Sequence, residues 1–338
     1  TANPSDTATR QSVLSAANSL TSAFNSAANQ MAQISTGLNT QVGSIVGQVN
    51  ALTTTIASLN KQIGSVSPNA DAGTLEDQRQ LAIAQLSKLV GLDQITTESN
   101  GITLTTTNGA VLVSGNQSFA LQTTQIAGVT HLIAGATGQD VTTGITGGQL
   151  GGVLQARDQQ LAAYTSALDN LAYAIGTQVN TQNAAGLDGN GNPGAALFTL
   201  PGTATGAAAA IQVATTNPTA IAAAAAGQGT SGNDNALALS DLSDTMLVAG
   251  QTASSFYSAL LGQIGSDTSG ASTDNAAQQA TLTQLTSQRD SLSGVSLDEE
   301  AANLTQYQRS YEAAAKVFSI VDTLMASAIN LGEQTTVS

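Results

Sequence analysis

The chain has 338 residues, a formal charge of −14 and only eight Lys and Arg, too little basic charge for a nucleic-acid patch or for adhesion to an anionic membrane. It has no Cys, which excludes disulfides and thiolate metal sites, and no run of eighteen apolar residues, so no segment reads as a transmembrane helix. Hydrophobic residues reach 41% while aromatics are 3% and charged residues 9%, which predicts two or three domains with narrow helical cores of small aliphatic side chains under a surface of Ser, Thr, Asn and Gln.

The first residues, TANPSDTATR, carry neither Met nor a signal-peptide pattern and read as the start of a fragment. Residues 4–66 read as a long helix. Ala17, Phe24, Met31, Leu38, Ile45, Leu52 and Leu59 recur every seven residues. The second seam position shifts from Leu20, Ala27 and Ile34, three residues on, to Val42, Val49, Ile56 and Ile63, four residues on. Gly37, Gly43 and Gly47 predict a kink or break in the middle. Pro4 suits a first turn and Ser67-Pro68 a stop. A second helix is predicted over 74–90, with a Thr74/Asp77 capping box and Gly91 as its C′ stop. Residues 92–146 turn to Thr and β-branched runs around Asn100-Gly101 and Asn108-Gly109, the pattern of a small β segment with little core of its own.

Helix returns at 152–185, with Leu154, Leu161, Leu168 and Ile175 in heptad line. A loop and short-helix excursion occupies about 187–235, where Asn217-Pro218 predicts a helix over TAIAAAAAG. Further helices are expected at 240–264 and 273–291. The fold class is therefore mainly α with a small β insert, an elongated antiparallel bundle formed by the N- and C-terminal segments. Its parts are a discontinuous helical domain (1–91 and 147–291), a small β-rich domain (92–146) and a C-terminal coiled-coil helix (292–338).

Little points to catalysis, so the chain reads as a non-enzyme with no cofactor. His131, the one His, stands in a predicted strand with no motif around it, and no nucleophile elbow or phosphate-binding loop occurs. Asp188, Asn190 and Asn192 alternate like the first ligands of a calcium loop. Pro193 then stands where such a loop needs Gly and Thr199 where it needs Glu, so a Gly/Asn turn is the stronger reading. Asp298, Glu299 and Glu300 could suggest paired carboxylates, but Ser296 and Glu299 form a capping box and the acids complement a helix N-terminus.

Beyond that cap, Leu304, Tyr311, Phe318 and Met325 fall every seven residues, with Tyr307, Ala314 and Val321 three residues after the first three. This is an uninterrupted apolar seam of coiled-coil type, and such a seam needs a partner helix. The stretch SGVSLDEEAANLTQYQRSYEAAAKVFSIVDTLMASAINL resembles the C-terminal signature of the flagellar hook-associated protein 1 family of hook–filament junction proteins. Rod and hook proteins share a looser version over Asn303 to Lys316. The stretches NPSDTATRQSVLSAANSLTSAFN, TLEDQRQLAIAQLSKLVG, GGQLGGVLQARDQQL and LDGNGNPGAALF resemble the same family in the same order.

The resemblance implies a structural subunit of the bacterial flagellum, exported by the type III apparatus without a cleaved signal and placed outside the cell. It implies assembly with copies of itself, the hook protein and the second junction protein, and an export chaperone at the C-terminal helix. It places Leu304, Tyr307, Tyr311, Phe318, Val321 and Met325 in an inner coiled-coil layer. The family has an N-terminal helix before the match to NPSDTATR, so the C-terminal helix is expected to lack its own partner here. Other readings are another flagellar axial protein, a secreted adhesin or enzyme-like β domain on a flagellar scaffold, or an unrelated coiled-coil effector.

Overall fold

The computed structural model describes residues 4–66, 72–96, 102–293 and 297–334. The chain divides into two compact units, Thr1–Ile264 and Gly265–Ser338.

Helix α1, Thr7–Ser65, is the spine of the first unit. Asp6 caps it by accepting the N–H groups of Ala8 and Thr9, at 3.1 and 3.2 Å. Pro4 therefore precedes the cap rather than opening the first turn, and its carbonyl accepts from Arg10 Nε at 2.7 Å. The interruption predicted at Gly37, Gly43 and Gly47 does not occur. Those glycines face open space, and burial of Val42, Ile45, Val46 and Val49 around them holds the helix.

The seam of α1 also differs from expectation. Leu20 and Ile34 are exposed, whereas Thr21 and Ala28 are buried. The inward line thus keeps the four-residue offset along the helix. Small or polar side chains at 21 and 28 hide it from a hydrophobic count. Ser67-Pro68 lies outside the described residues.

Helix α2 runs Gly73–Leu89 with Ala72 at its N-cap and no side-chain capping bond, so the Thr74 capping box is not made. Gly91 is not a left-handed C′ residue either. A Cβ there would lie 3.1 Å from Gly147 Cα, and one on Gly147 would lie 2.8 Å from Gly91 Cα. The chain leaves for the β segment and returns from it glycine against glycine.

Strands β1 (Leu92–Thr96), β2 (Ile102–Thr106), β3 (Val111–Ser114) and β4 (Gln117–Ser118) form one antiparallel meander. Asn100-Gly101, between β1 and β2, lies outside the described residues. Asn108-Gly109 does join β2 to β3. Strands β5 (Leu121–Ile126) and β6 (Val129–Ala134) form a separate hairpin. The apolar faces of these strands do not meet each other alone. Ile102, Leu104, Leu112, Leu121 and Leu132 pack in one core with Val42–Ala57 of α1, Leu86 of α2 and Leu150 and Leu154 beyond.

The next helix is α3 (Gly148–Gln155), a π-helical segment Ala156–Leu161, and α4 (Ala162–Ala185), in unbroken succession. Leu168, Leu171 and Ala172 of α4 make the second core with Leu14, Phe24 and Ala28 of α1. Short elements close over it: β7 (Gly186–Leu187), β8 (Phe198–Thr199), α5 (Ala207–Ala210), β9 (Gln212–Val213) and β10 (Ala224–Ala225). The helix predicted over TAIAAAAAG is one 3₁₀ turn at Pro218–Ala220, which Asn217 does cap. Ala222 and Ala223 run on extended and buried. Asn183 Oδ1 accepts Ala222 N–H, and Ala223 C=O accepts Ala236 N–H. Tertiary pairing overrides alanine's helix propensity there.

Helix α6 (Asp234–Asp241) and the hairpin β11 (Met246–Val248) to β12 (Gln251–Thr252) occupy the start of the helix predicted at 240–264. Helix α7 is then continuous over Ala253–Ser293, without the break expected between 264 and 273. Helix α8 spans Leu297–Gln334. The Ser296 and Glu299 capping box lies outside the residues whose side chains are described.

Candidate assembly surfaces

With so few charges, the first unit ties strands and loops to helices through asparagine. Asn50 of α1 donates Nδ2–H to Leu121 C=O and accepts Leu121 N–H, both at 2.8 Å, like one rung of a β-ladder. Asn39 serves Gly128 and Thr130 at the far end of the same hairpin. Asn60 donates to Ile102 and Gly115 carbonyls, and Asn180 and Asn183 of α4 do the same for 195–222. Except at the exposed Gly128 carbonyl, these bonds satisfy backbone groups that are at least partly buried.

The π-helical segment has a matching use. It brings Arg157 inward, 4% exposed. Its Nη1 donates to Thr130 C=O at 2.7 Å and to Asn39 Oδ1 at 3.0 Å, while Nε and Nη2 grip both oxygens of Asp158. One buried guanidinium thus joins α1, β6 and the helix that carries it. The sequence signal was a lone Arg in an apolar heptad register, which by itself names no partner.

The residues weighed as chemistry have structural surroundings. His131 Nδ1 is 2.7 Å from Asp140 Oδ2 on the half-exposed hairpin. The Thr142 hydroxyl and backbone N–H, with a lesser part from His131, lower the Asp140 carboxyl to about 2. Thr142 Oγ1 also accepts Leu132 N–H, so this group pins the return strand. Asp188 Oδ1 accepts the N–H groups of Asn190 and Asn192, both at 2.8 Å. The structure thus sets Asp188 as the centre of an Asx-type turn, and Asn190 and Asn192 stand exposed beside it.

The largest exposed apolar side chains gather on α8. Leu304, Tyr307, Tyr311 and Phe318 are 61–79% exposed, and Val321 is 40% exposed. At heptad spacing these five share one face. Arg309, Glu312 and Lys316 fall at registers outside it. Met325, the sixth residue of the predicted seam, lies outside the residues whose side chains are described. A second apolar surface lies on the first unit. There Leu20 and Phe24 of α1, Leu168, Leu171 and Ile175 of α4, and Tyr257 of α7 line a groove of about 340 Å³. From Gln11 to Asn60, α1 has no charged residue.

Residues 1–198 match the family described as the flagellar hook-associated protein FlgK helical domain. The chain belongs to the FlgK family of flagellar hook-associated proteins. It is therefore a structural subunit of the flagellum, at the hook–filament junction. Residues 286–331, which hold the α8 seam, match the family described as the flagellar basal body rod FlgEFG protein C-terminal. Among relatives, the flagellar hook-associated protein 1 of Escherichia coli (strain K12) is 26% identical, over 97% of this chain and 78% of its own. That of Bacillus subtilis (strain 168) is 28% identical, over 91% and 68%. The flagellar hook junction protein FlgK from Burkholderia pseudomallei shares the fold, with a TM-score of 0.77 at 21% identity, over 86% of this chain and 90% of that one.

Proposed function

We propose that the subunit assembles through α8, whose seam of Leu304, Tyr307, Tyr311, Phe318 and Val321 coils against helices of an inner layer of the junction. The single observation behind this reading is the exposure of that seam along a 38-residue helix. Burying one such side chain contributes about 1.5–3 kcal/mol, so five in register give ample drive for assembly. Copies of the chain, the hook protein and the second hook-associated junction protein are the partners this reading assigns. Residues 92–146 are assigned outward, away from the inner layer. Before assembly the same seam requires cover, the role assigned to an export chaperone, and assembly takes place outside the cell. The work is packing, with no reaction and no cofactor.

The test is complementation of a non-motile mutant, from an otherwise motile species, that lacks its own junction protein. The gene restores filament attachment, while Tyr311→Glu does not, because a carboxylate in a dry seam has no partner. Filaments attached normally by the Tyr311→Glu protein would overturn the reading.

A further inference from the structure

Two Asn-Gly pairs stand in described turns, and their surroundings differ. Asn108 is held. Its Oδ1 accepts the Thr106 hydroxyl, and its amide packs so closely on Gly144 that a side chain at 144 would collide with it. Both asparagines are exposed, but no hydrogen bond reaches the Asn190 side chain among the described residues. Gly191 follows at φ +81° with no side chain to shield its nitrogen. That nitrogen donates only to Asp188 C=O, at 3.1 Å.

We propose that Asn190 is a site of spontaneous modification, deamidating through a cyclic imide formed with Gly191. The Gly191 backbone nitrogen attacks Asn190 Cγ, and a C–N bond forms there. The bond from Cγ to Nδ2 breaks, and ammonia leaves with the proton that the backbone nitrogen gives up through solvent. Water then opens the ring at either carbonyl, giving Asp or isoaspartate at 190. The net change is amide plus water to carboxylic acid plus ammonia, so no oxidant or enzyme is needed.

The isoaspartyl product places an extra backbone carbon between 190 and 191. The Asp188 turn cannot then keep both of its contacts to Asn192, N–H to Oδ1 at 2.8 Å and C=O to Asp188 N–H at 2.7 Å. This loop is tied through Gly189 N–H to Thr219 C=O, which also accepts from Arg10 of α1. Modification therefore loosens the clasp at the start of the spine helix as the assembled protein ages.

The experiment is incubation of the full chain in mildly alkaline buffer, with peptide mapping and isoaspartyl detection against a zero-time sample. A side-chain hydrogen bond of ordinary worth slows Asn108 by roughly fivefold. Acid at 190 should thus accumulate at least that much faster than at 108, and Asn190→Gln should remove the signal. Equal rates at the two positions would overturn the proposal. So would no acid at 190 in the folded chain while the urea-unfolded chain converts both.

Discussion

Replacing Asn50 with Ala tests whether asparagine rungs hold the β segment to the spine helix. The side chain satisfies both backbone groups of Leu121 at 2.8 Å, and Leu121 is 2% exposed. Stranding one buried donor or acceptor costs about 1–3 kcal/mol, and limited water entry from the helix flank reduces the sum, so the pair is worth about 2–4 kcal/mol. In urea unfolding followed by far-UV circular dichroism this lowers the midpoint by about 1 M. Amide exchange gives the local readout, because Leu121 N–H loses its acceptor and its protection. Asn18→Ala is the control: its Nδ2 donates only to Leu14 C=O of the same helix, and its loss should stay within about 0.5 kcal/mol. An Asn50→Ala protein as stable as the Asn18→Ala protein, or one with Leu121 still protected, would refute the reasoning.

Glycine substitutions should split by sign. Gly43→Ala, facing open space on α1, raises stability by up to about 1 kcal/mol, whereas Gly147→Ala, against Gly91 Cα, lowers it by about 1–3 kcal/mol in the same thermal melt. Arg157→Met leaves the buried Thr130 carbonyl without its donor and should cost about 2–4 kcal/mol by urea unfolding. Asp140 is held below its ordinary range, to about 2, chiefly by Thr142. Its contribution is thus present above the ordinary carboxylate pKa and lost as pH falls through about 2. Asp140→Asn should therefore destabilise the hairpin at neutral pH, with the difference vanishing near pH 2 in melts at stepped pH. Tyr311→Glu, at a position 79% exposed, should leave the melting of the folded chain unchanged while abolishing filament attachment.

The apolar face of α8 was legible because a heptad places side chains on one side of a helix whatever surrounds it. The long spine helix was legible for the same reason, down to the buried Val42, Val49 and Ile56. Its early seam was misjudged because Thr21 and Ala28 look too small or polar for a core, yet Thr21 is buried and Ala28 shares a core with Leu168, Leu171 and Phe198. The Thr74 capping box and the Ala-rich helix after Pro218 failed for a related reason. Each is a local preference of about 1 kcal/mol or less per residue, and long-range hydrogen bonds to Asn183 and Asn235 outweigh it at Ala222.

By itself, then, the order of residues determined that long helices dominate, where β-branched texture interrupts them, and that an apolar face with aromatic side chains lies on the last long helix. Those follow from periodicity, which acts within a few turns. Only the tertiary structure decided that Arg157 turns inward at a π-helical segment, that Gly91 and Gly147 meet backbone to backbone, and that asparagines, with a few buried arginines, tie the layers together. Such choices depend on which backbone groups burial leaves unpaired. That is known only once segments more than a hundred residues apart, such as Asn39 and Arg157, are brought into contact.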